Sequence, residues 1–222
     1  MFYKELKFLL YKEFLLEWRE RSAVNGLLLY VINTVMLCYL SFSVRMQSLH
    51  PLVWNTLFWI IILFSAINAV AKSFQQERYG RLIYYYSLVS PQAIIFSKII
   101  YNAILMTFIS FLALAIYALV LGNPVQDMPL FGLTLLLGGL GFAGTLTLIS
   151  GIASRADNNT TLMAVLGFPI ILPLLLMLIK LSRNALDGLA FEASLDELLV
   201  LLALNILVIA LSYLLFPYIW RS

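Results

Sequence analysis

Long apolar runs fill most of the chain between residues 23 and 219, and short polar segments separate them. A helix that crosses the hydrocarbon core of a bilayer needs about 20 predominantly apolar residues. Six runs reach that length, and they predict helices over 23–43, 52–72, 93–121, 130–153, 160–179 and 198–219. The pattern therefore predicts an all-α polytopic membrane protein whose 222 residues form a single transmembrane domain.

Residues 1–21 have a different pattern, in which apolar and charged positions alternate with helical spacing. One face carries Phe2, Leu6, Leu9, Leu10, Phe14 and Trp18, whereas Lys4, Glu5, Lys7, Lys12 and Glu20 lie largely on the other. This amphipathic pattern predicts a helix in the membrane interface, with its aromatic side chains at headgroup depth. A helix that packs on a soluble partner is the alternative, and the two interpretations are compatible.

The polar segments between the spans predict the orientation of the chain. Segment 181–197 is too polar to cross a membrane and is expected to be an outer loop, and segment 72–92 is expected to be a loop on the other side. Of the 14 lysines and arginines, 11 lie on the side that holds both termini and the segment 72–92. Lysine and arginine concentrate on the cytoplasmic side of membrane proteins. Both termini are therefore predicted to be cytoplasmic.

Composition limits the chemistry that this chain can perform by itself. Hydrophobic residues make up 63% of the sequence and charged residues 11%, against about a quarter in soluble domains. One cysteine, Cys38, and one histidine, His50, exclude an intrachain disulfide and a multi-histidine or multi-cysteine metal site. No G-x-x-x-x-G-K-[ST] loop is present for ATP phosphates. The polar residues inside the spans are mainly neutral asparagines, so autonomous catalysis, proton-coupled transport and a nucleic-acid partner are not expected.

The second polar loop, KSFQQERYGRLIYYYSLVSPQ, holds the most distinctive polar pattern in the chain. It places charged residues around Gly80, follows them with Tyr84, Tyr85 and Tyr86, and ends in Ser90-Pro91, a helix-start signal. This arrangement would present charge and aromatic groups to a cytoplasmic partner. An ordinary basic loop with interfacial tyrosines is the alternative.

Two of the predicted spans carry residues that alter helix geometry. The fourth span contains Gly138, Gly141 and Gly144, and such small residues let a neighbouring helix approach closely. The fifth contains Pro169 and Pro173, each of which removes a backbone donor from the helix. The prolines are interpreted either as a static kink or as a hinge.

Taken in order, these features resemble the membrane subunits of type-2 ABC exporters, and more narrowly the haem exporter protein B (CcmB) family of cytochrome c maturation. The resemblance rests on the amphipathic amino-terminal helix with Lys12-Glu13 and on F-x-x-E-x-x-G-x-L from Phe74 to Leu82. Ser90-Pro91 with Lys98 seven residues later extends it. The stretch LTLLLGGLGFAGTLTLISGIASRADNNTTLMAVLGFPIILPLLLM, residues 133–177, contributes most to the narrower assignment.

The resemblance implies a permease in the bacterial inner membrane, a homodimer within its complex, that works with a separate cytoplasmic ABC ATPase subunit. It also implies a haem-handling membrane protein and a haem chaperone as partners. The ATPase would be coupled through Glu77, Arg78, Gly80, Arg81 and Leu82. No cofactor is assigned to the chain, although haem is expected as a transported or handled ligand, and His50 is a minor candidate for ligating it.

Three functions stay open on these grounds. The first is a permease for haem export or delivery, driven by ATP hydrolysis in the partner subunit. The second is a scaffold that carries no solute and couples ATP hydrolysis to the release of haem-loaded chaperone. The third is the permease of another type-2 ABC exporter.

Overall fold

The computed structural model describes residues 2–20, 22–43, 49–71, 89–154 and 159–221. These residues form seven α-helices: α1 (Phe2–Glu20), α2 (Ser22–Ser43), α3 (Pro51–Ala71), α4 (Pro91–Leu121), α5 (Met128–Ala153), α6 (Asn159–Asp187) and α7 (Leu195–Arg221). A short 3-10 helix, Phe191–Ser194, precedes α7, and the described residues contain no strand. The predicted all-α class is therefore confirmed.

Six of the helices are long and apolar enough to cross a membrane, as predicted. The candidate spans are Val24–Phe42, Pro51–Val70, Pro91–Leu121, Met128–Ala153, Val165–Asp187 and Phe191–Ile219. Helix α1 precedes them and packs mainly against α4. The fold is thus a six-span bundle with one additional helix at its amino-terminal end.

The loop expected over 181–197 is shorter than predicted, because α6 continues to Asp187. The polar residues in this stretch misled the prediction, since they lie on one side of a regular helix. Lys180, Arg183 and Asp187 are exposed, whereas the alternate positions of the same turns are buried: Leu181, Ser182, Ala185 and Leu186. Gly188 then adopts a positive φ of 64°, which only glycine takes readily, and the chain turns toward α7.

The loop expected over 72–92 also ends earlier than predicted. Ser90 is the N-cap residue of α4, and Pro91 occupies its first turn, so residues 91 and 92 belong to the helix. Ser90-Pro91 is therefore confirmed as a helix start.

The two ends of the bundle can be told apart by their contacts. At one end, here called the α1 end, α1 packs beside the start of α4, and Phe96 of α4 contacts Tyr213 near the end of α7. At the opposite end, Gly122 after α4 accepts a hydrogen bond from the Trp54 indole of α3, and the Asp127 backbone N–H donates to the carbonyl of Ala185 in α6. Successive spans therefore run in alternating directions.

Helix α5 lies at the centre of the bundle and packs against α3, α4, α6 and α7. Its glycines stand where neighbouring helices come closest. A Cβ on Gly139 would lie 2.7 Å from the Thr107 hydroxyl and 3.2 Å from the Thr107 backbone nitrogen of α4. A Cβ on Gly138 would meet the Trp59 ring at 3.0 Å, and one on Gly141 would meet Leu174 at 2.6 Å. At Gly144 the nearest atom is a Val208 methyl at 3.3 Å.

Helix α6 contains both prolines of the fifth span within its helical range. Pro169 and Pro173 lie on the exposed side of the helix, along with the large apolar side chains of Val165, Phe168 and Leu176. Two buried residues of the opposite side, Ile171 and Leu174, belong to the core of the bundle. The prolines thus face away from the neighbouring described helices.

Candidate functional site

The α1 junction, the contact of α1 with the starts of α2 and α4, brings together ion pairs and hydrogen bonds of three glutamates of α1. Apolar contacts form its base. Leu9 of α1 is fully buried against α4 residues, and two edge-to-face ring pairs flank it: Phe2 with Phe96, and Phe14 with Tyr101. The opposite side of α1 exposes aromatic and apolar side chains at helical spacing, namely Phe8, Tyr11, Leu15 and Trp18. Helix α1 is therefore held by one side and offers an apolar surface on the other.

Glu5 joins the beginning of α1 to the beginning of α4. The Ser90 hydroxyl donates to Glu5 Oε2 at 2.8 Å, and the Ser90 backbone N–H donates to the same oxygen at 3.2 Å. These hydrogen bonds to Ser90 lower the pKa of the Glu5 carboxyl, because they favour its charged form. The Ser90 side chain thus connects two helices and makes no side-chain capping bond within α4.

Glu13 joins the middle of α1 to the second turn of α4. Lys98 Nζ lies 3.3 Å from Glu13 Oε1, and the Lys98 side chain is only 1% exposed. Lys12 Nζ approaches the same oxygen at 3.1 Å. A lysine this deeply buried needs a partner for its charge. Packing of α1 on α4 therefore supplies a partner for the buried charge of Lys98.

Glu17 joins the last turn of α1 to the first turn of α2. Its Oε1 accepts the backbone N–H of Val24 at 3.0 Å, which satisfies one of the donors that a helix start leaves unpaired. The Tyr101 hydroxyl of α4 lies within hydrogen-bonding reach of the same side chain. Three glutamates, one on each successive stretch of α1, therefore fix this helix to the bundle.

The α1 junction adjoins the segment for which a coupling role is expected. Residues 72–88, which include Glu77, Arg78, Gly80, Arg81 and Leu82, lie outside the described residues, so their role stays a prediction. The first described residues after this segment are Val89 and Ser90, and Ser90 is bonded to Glu5. A movement of the segment would therefore reach α1 and α4 together.

Polar groups inside the bundle are bonded to one another at the opposite end. The Trp59 indole donates to the Ser182 hydroxyl at 2.8 Å, and Ser182 donates to Asn55 Oδ1 at 2.9 Å. Asn55 Nδ2 donates to the Ile179 carbonyl, and near mid-bundle Asn102 Nδ2 donates to the Thr147 hydroxyl at 2.9 Å. These side chains hold α3 to α6 and α4 to α5. Their donors and acceptors form hydrogen bonds between helices. The sequence showed that the asparagines are neutral, but it did not show this role in helix packing.

His50 lies at the start of α3, at the opposite end from α1. Its ring Nδ1 accepts the Leu52 backbone N–H at 3.3 Å, and its carbonyl accepts from Val53 and Trp54. The Nδ1 atom is therefore engaged with the backbone of α3, and the residue as a whole is exposed. Over the part of the chain that the structure describes, no group of three or more metal-ligating side chains comes together.

The fold and its polar contacts define a multi-pass helical membrane protein, with an amino-terminal helix fixed to the bundle of candidate spans. The chain belongs to the CcmB protein family, whose pattern it matches over residues 4–219. Membership of this family indicates that the chain is a haem exporter membrane component of cytochrome c maturation. Such a component is part of a membrane transporter rather than a catalytic enzyme, and it works in a haem export system with other components. Comparison with curated proteins finds no match.

Proposed function

We propose that this chain is the permease subunit of an ABC-type complex for haem export or delivery in cytochrome c biogenesis, driven by a separate ATPase subunit. Membership of the CcmB family supports the assignment to cytochrome c biogenesis. The observation that carries the coupling role is the bond between Ser90 and Glu5, because it anchors the second residue after segment 72–88 to α1. The sequence has no phosphate-binding loop, so the energy comes from the partner.

In this proposal the ATPase docks on segment 72–88 through Glu77, Arg78, Gly80, Arg81 and Leu82. Its closure displaces Ser90, and the displacement passes to α4 directly and to α1 through Glu5. The Glu13–Lys98 pair keeps α1 and α4 moving as one unit, since separating the two side chains would leave a buried charge without this partner. The α1 end accordingly faces the cytoplasm, in agreement with its lysines and arginines.

The remaining assignments follow from the family. The chain lies in the bacterial inner membrane, with both termini in the cytoplasm, and forms a homodimer beside two ATPase copies. A haem-handling membrane protein and a haem chaperone complete the system, and haem is the ligand that is moved or handled rather than a resident cofactor of this chain.

Pro169 and Pro173 would act as a hinge in α6, because the carbonyls of Val165 and Pro169 lose their helical donors.

The coupling role is tested by co-purification with the ATPase and by stimulation of its activity. Glu77→Gln and Gly80→Val are expected to weaken both, whereas Glu192→Gln, an exposed carboxylate near the start of α7 at the opposite end, serves as the matched control. Full binding and full stimulation in both loop variants would show that the ATPase docks elsewhere.

A scaffold that moves no haem is a second candidate, and the packing of the bundle favours it. Trp54, Phe58, Tyr117 and Phe131 form a contiguous aromatic cluster at the opposite end, with ring centroids 4.7–6.1 Å apart. A haem that passed between α3, α4 and α5 at this end would have to separate these rings. Sealed vesicles that carry the complete complex distinguish the two functions: ATP-dependent haem entry supports transport, and hydrolysis without haem entry supports the scaffold.

A further inference from the structure

An apolar pocket opens beside the α1 junction, where the end of α1 meets the start of α2 and the third to fifth turns of α4. Its volume is about 340 Å³, and four aromatic residues contribute to its wall: Phe14, Trp18, Tyr101 and Phe108. Among the described residues that line it, Glu17 is the one with an acidic or basic side chain. The pocket therefore combines aromatic side chains with a single carboxylate.

This combination selects for a cation with an apolar body. Aromatic faces attract ammonium groups, and the attraction grows when water is excluded. An ionised carboxylate accepts at about four lone-pair positions. The Val24 N–H donates to Glu17, and the Tyr101 hydroxyl is a second donor beside it. These two contacts hold the carboxylate in place, and it can still accept a further N–H hydrogen bond.

The position of the pocket identifies the source of the cation. Ile104 and Phe108 of α4 line it and are 49% and 56% exposed, within a candidate membrane span. A molecule seated here can lay a hydrocarbon chain along these residues while its head reaches Glu17. A soluble amine has no such chain, and a purely anionic lipid head has no N–H group to donate to the carboxylate.

We infer that this pocket binds a phospholipid with a primary ammonium headgroup, of the phosphatidylethanolamine type. The ammonium donates to Glu17 and lies against the aromatic side chains, and an acyl chain follows α4 at Ile104 and Phe108. The bound lipid would brace α1 against α2 and α4. This inference goes beyond the proposed function, since it requires only that the chain is embedded in a membrane.

Fluorescence of Trp18 tests the inference in vesicles of phosphatidylglycerol that contain brominated probe lipids. The Trp18→Phe variant keeps an aromatic wall and removes one emitter, so its difference from the wild-type protein isolates the Trp18 signal. Brominated phosphatidylethanolamine is expected to quench this signal at about tenfold lower mole fraction than brominated phosphatidylcholine, because only the former donates N–H bonds to Glu17. Mono- and dimethylated headgroups should fall between the two.

Glu17→Gln retains an acceptor for the Val24 N–H and removes the charge, so it should abolish the headgroup preference. Glu192→Gln, at the opposite end of the bundle, should keep it. Equal quenching by all headgroups would mean that the pocket holds lipid of any type, and preference for phosphatidylglycerol would reverse the sign of the recognition. Either result overturns the inference, and neither depends on the ATPase. The methylation series in the wild-type protein needs no change in the pocket and keeps the test valid if Glu17→Gln folds poorly.

Discussion

Removing the charge of Glu13 should destabilise the protein more than removing any exposed carboxylate. Lys98 is 1% exposed and Glu13 is 12% exposed, with 3.3 Å between Nζ and Oε1. Breaking a buried pair by removing one partner costs about 3–5 kcal/mol. We expect the lower end, about 3 kcal/mol, for Glu13→Gln, because Glu13 is not fully buried and also pairs with Lys12.

The measurement is the thermal unfolding midpoint in detergent, followed by tryptophan fluorescence at one fixed scan rate. A loss of this size corresponds to a fall of about 6–12 °C for a chain of this length. Helix α1 should remain attached in part, because burial of Leu9 contributes about 2 kcal/mol. Glu192→Gln is the matched control and should leave the midpoint unchanged.

A second variant separates the charge from the shape of the side chain. Lys98→Met in the Glu13→Gln background places an unbranched apolar side chain where the lysine was buried. Replacing a buried pair by apolar residues of similar volume is often neutral or stabilising. The double variant should therefore recover most of the midpoint that Glu13→Gln loses. A Glu13→Gln midpoint within about 1 °C of the wild-type value, or no recovery in the double variant, would refute the assigned role.

Two further results are expected. Gly139→Ala should destabilise the bundle by about 1–3 kcal/mol, because its Cβ would meet the Thr107 backbone. Gly26→Ala is the control and should be tolerated, because no atom lies within 4 Å of its Cβ. The thermal unfolding midpoint should therefore fall for Gly139→Ala and stay near the wild-type value for Gly26→Ala. Glu5 has a lowered pKa, so its contact with Ser90 stabilises the protein above the ordinary value of 4.5 and is lost as the pH falls below it. The midpoint gap between the wild-type protein and Glu5→Gln should therefore close below pH 4.5, and a constant gap would contradict this contact.

The spans could be predicted from the sequence because hydrocarbon imposes the same requirement on every helix that crosses it. The end of α6 was missed because Lys180, Arg183 and Asp187 raised the average polarity of the segment. The spacing of Leu181, Ala185 and Leu186 between them is the signal that would have found it, since residues that recur with a period of 3.6 mark one buried face.

The α1 junction could be predicted only in part. The sequence indicated an amphipathic helix, but it assigned Glu5 to a polar face. Pairing of Glu13 with Lys98, 85 positions apart, depends on how α1 crosses α4, and no local pattern encodes that crossing. A useful signal was the presence of four glutamates, three of which make the contacts described above, on a helix that otherwise carries basic residues suited to anionic lipid.

The length of α4 has a mechanical consequence. With 31 residues it is about 46 Å long, and it runs without interruption from Ser90 at one membrane surface to Gly122 at the other. A rigid rod of this length that tilts by about 5° around its midpoint moves each tip by about 2 Å. A small displacement of the capping serine on one side of the membrane would thus shift the Trp54–Tyr117 contact on the far side, with no conformational change needed in between.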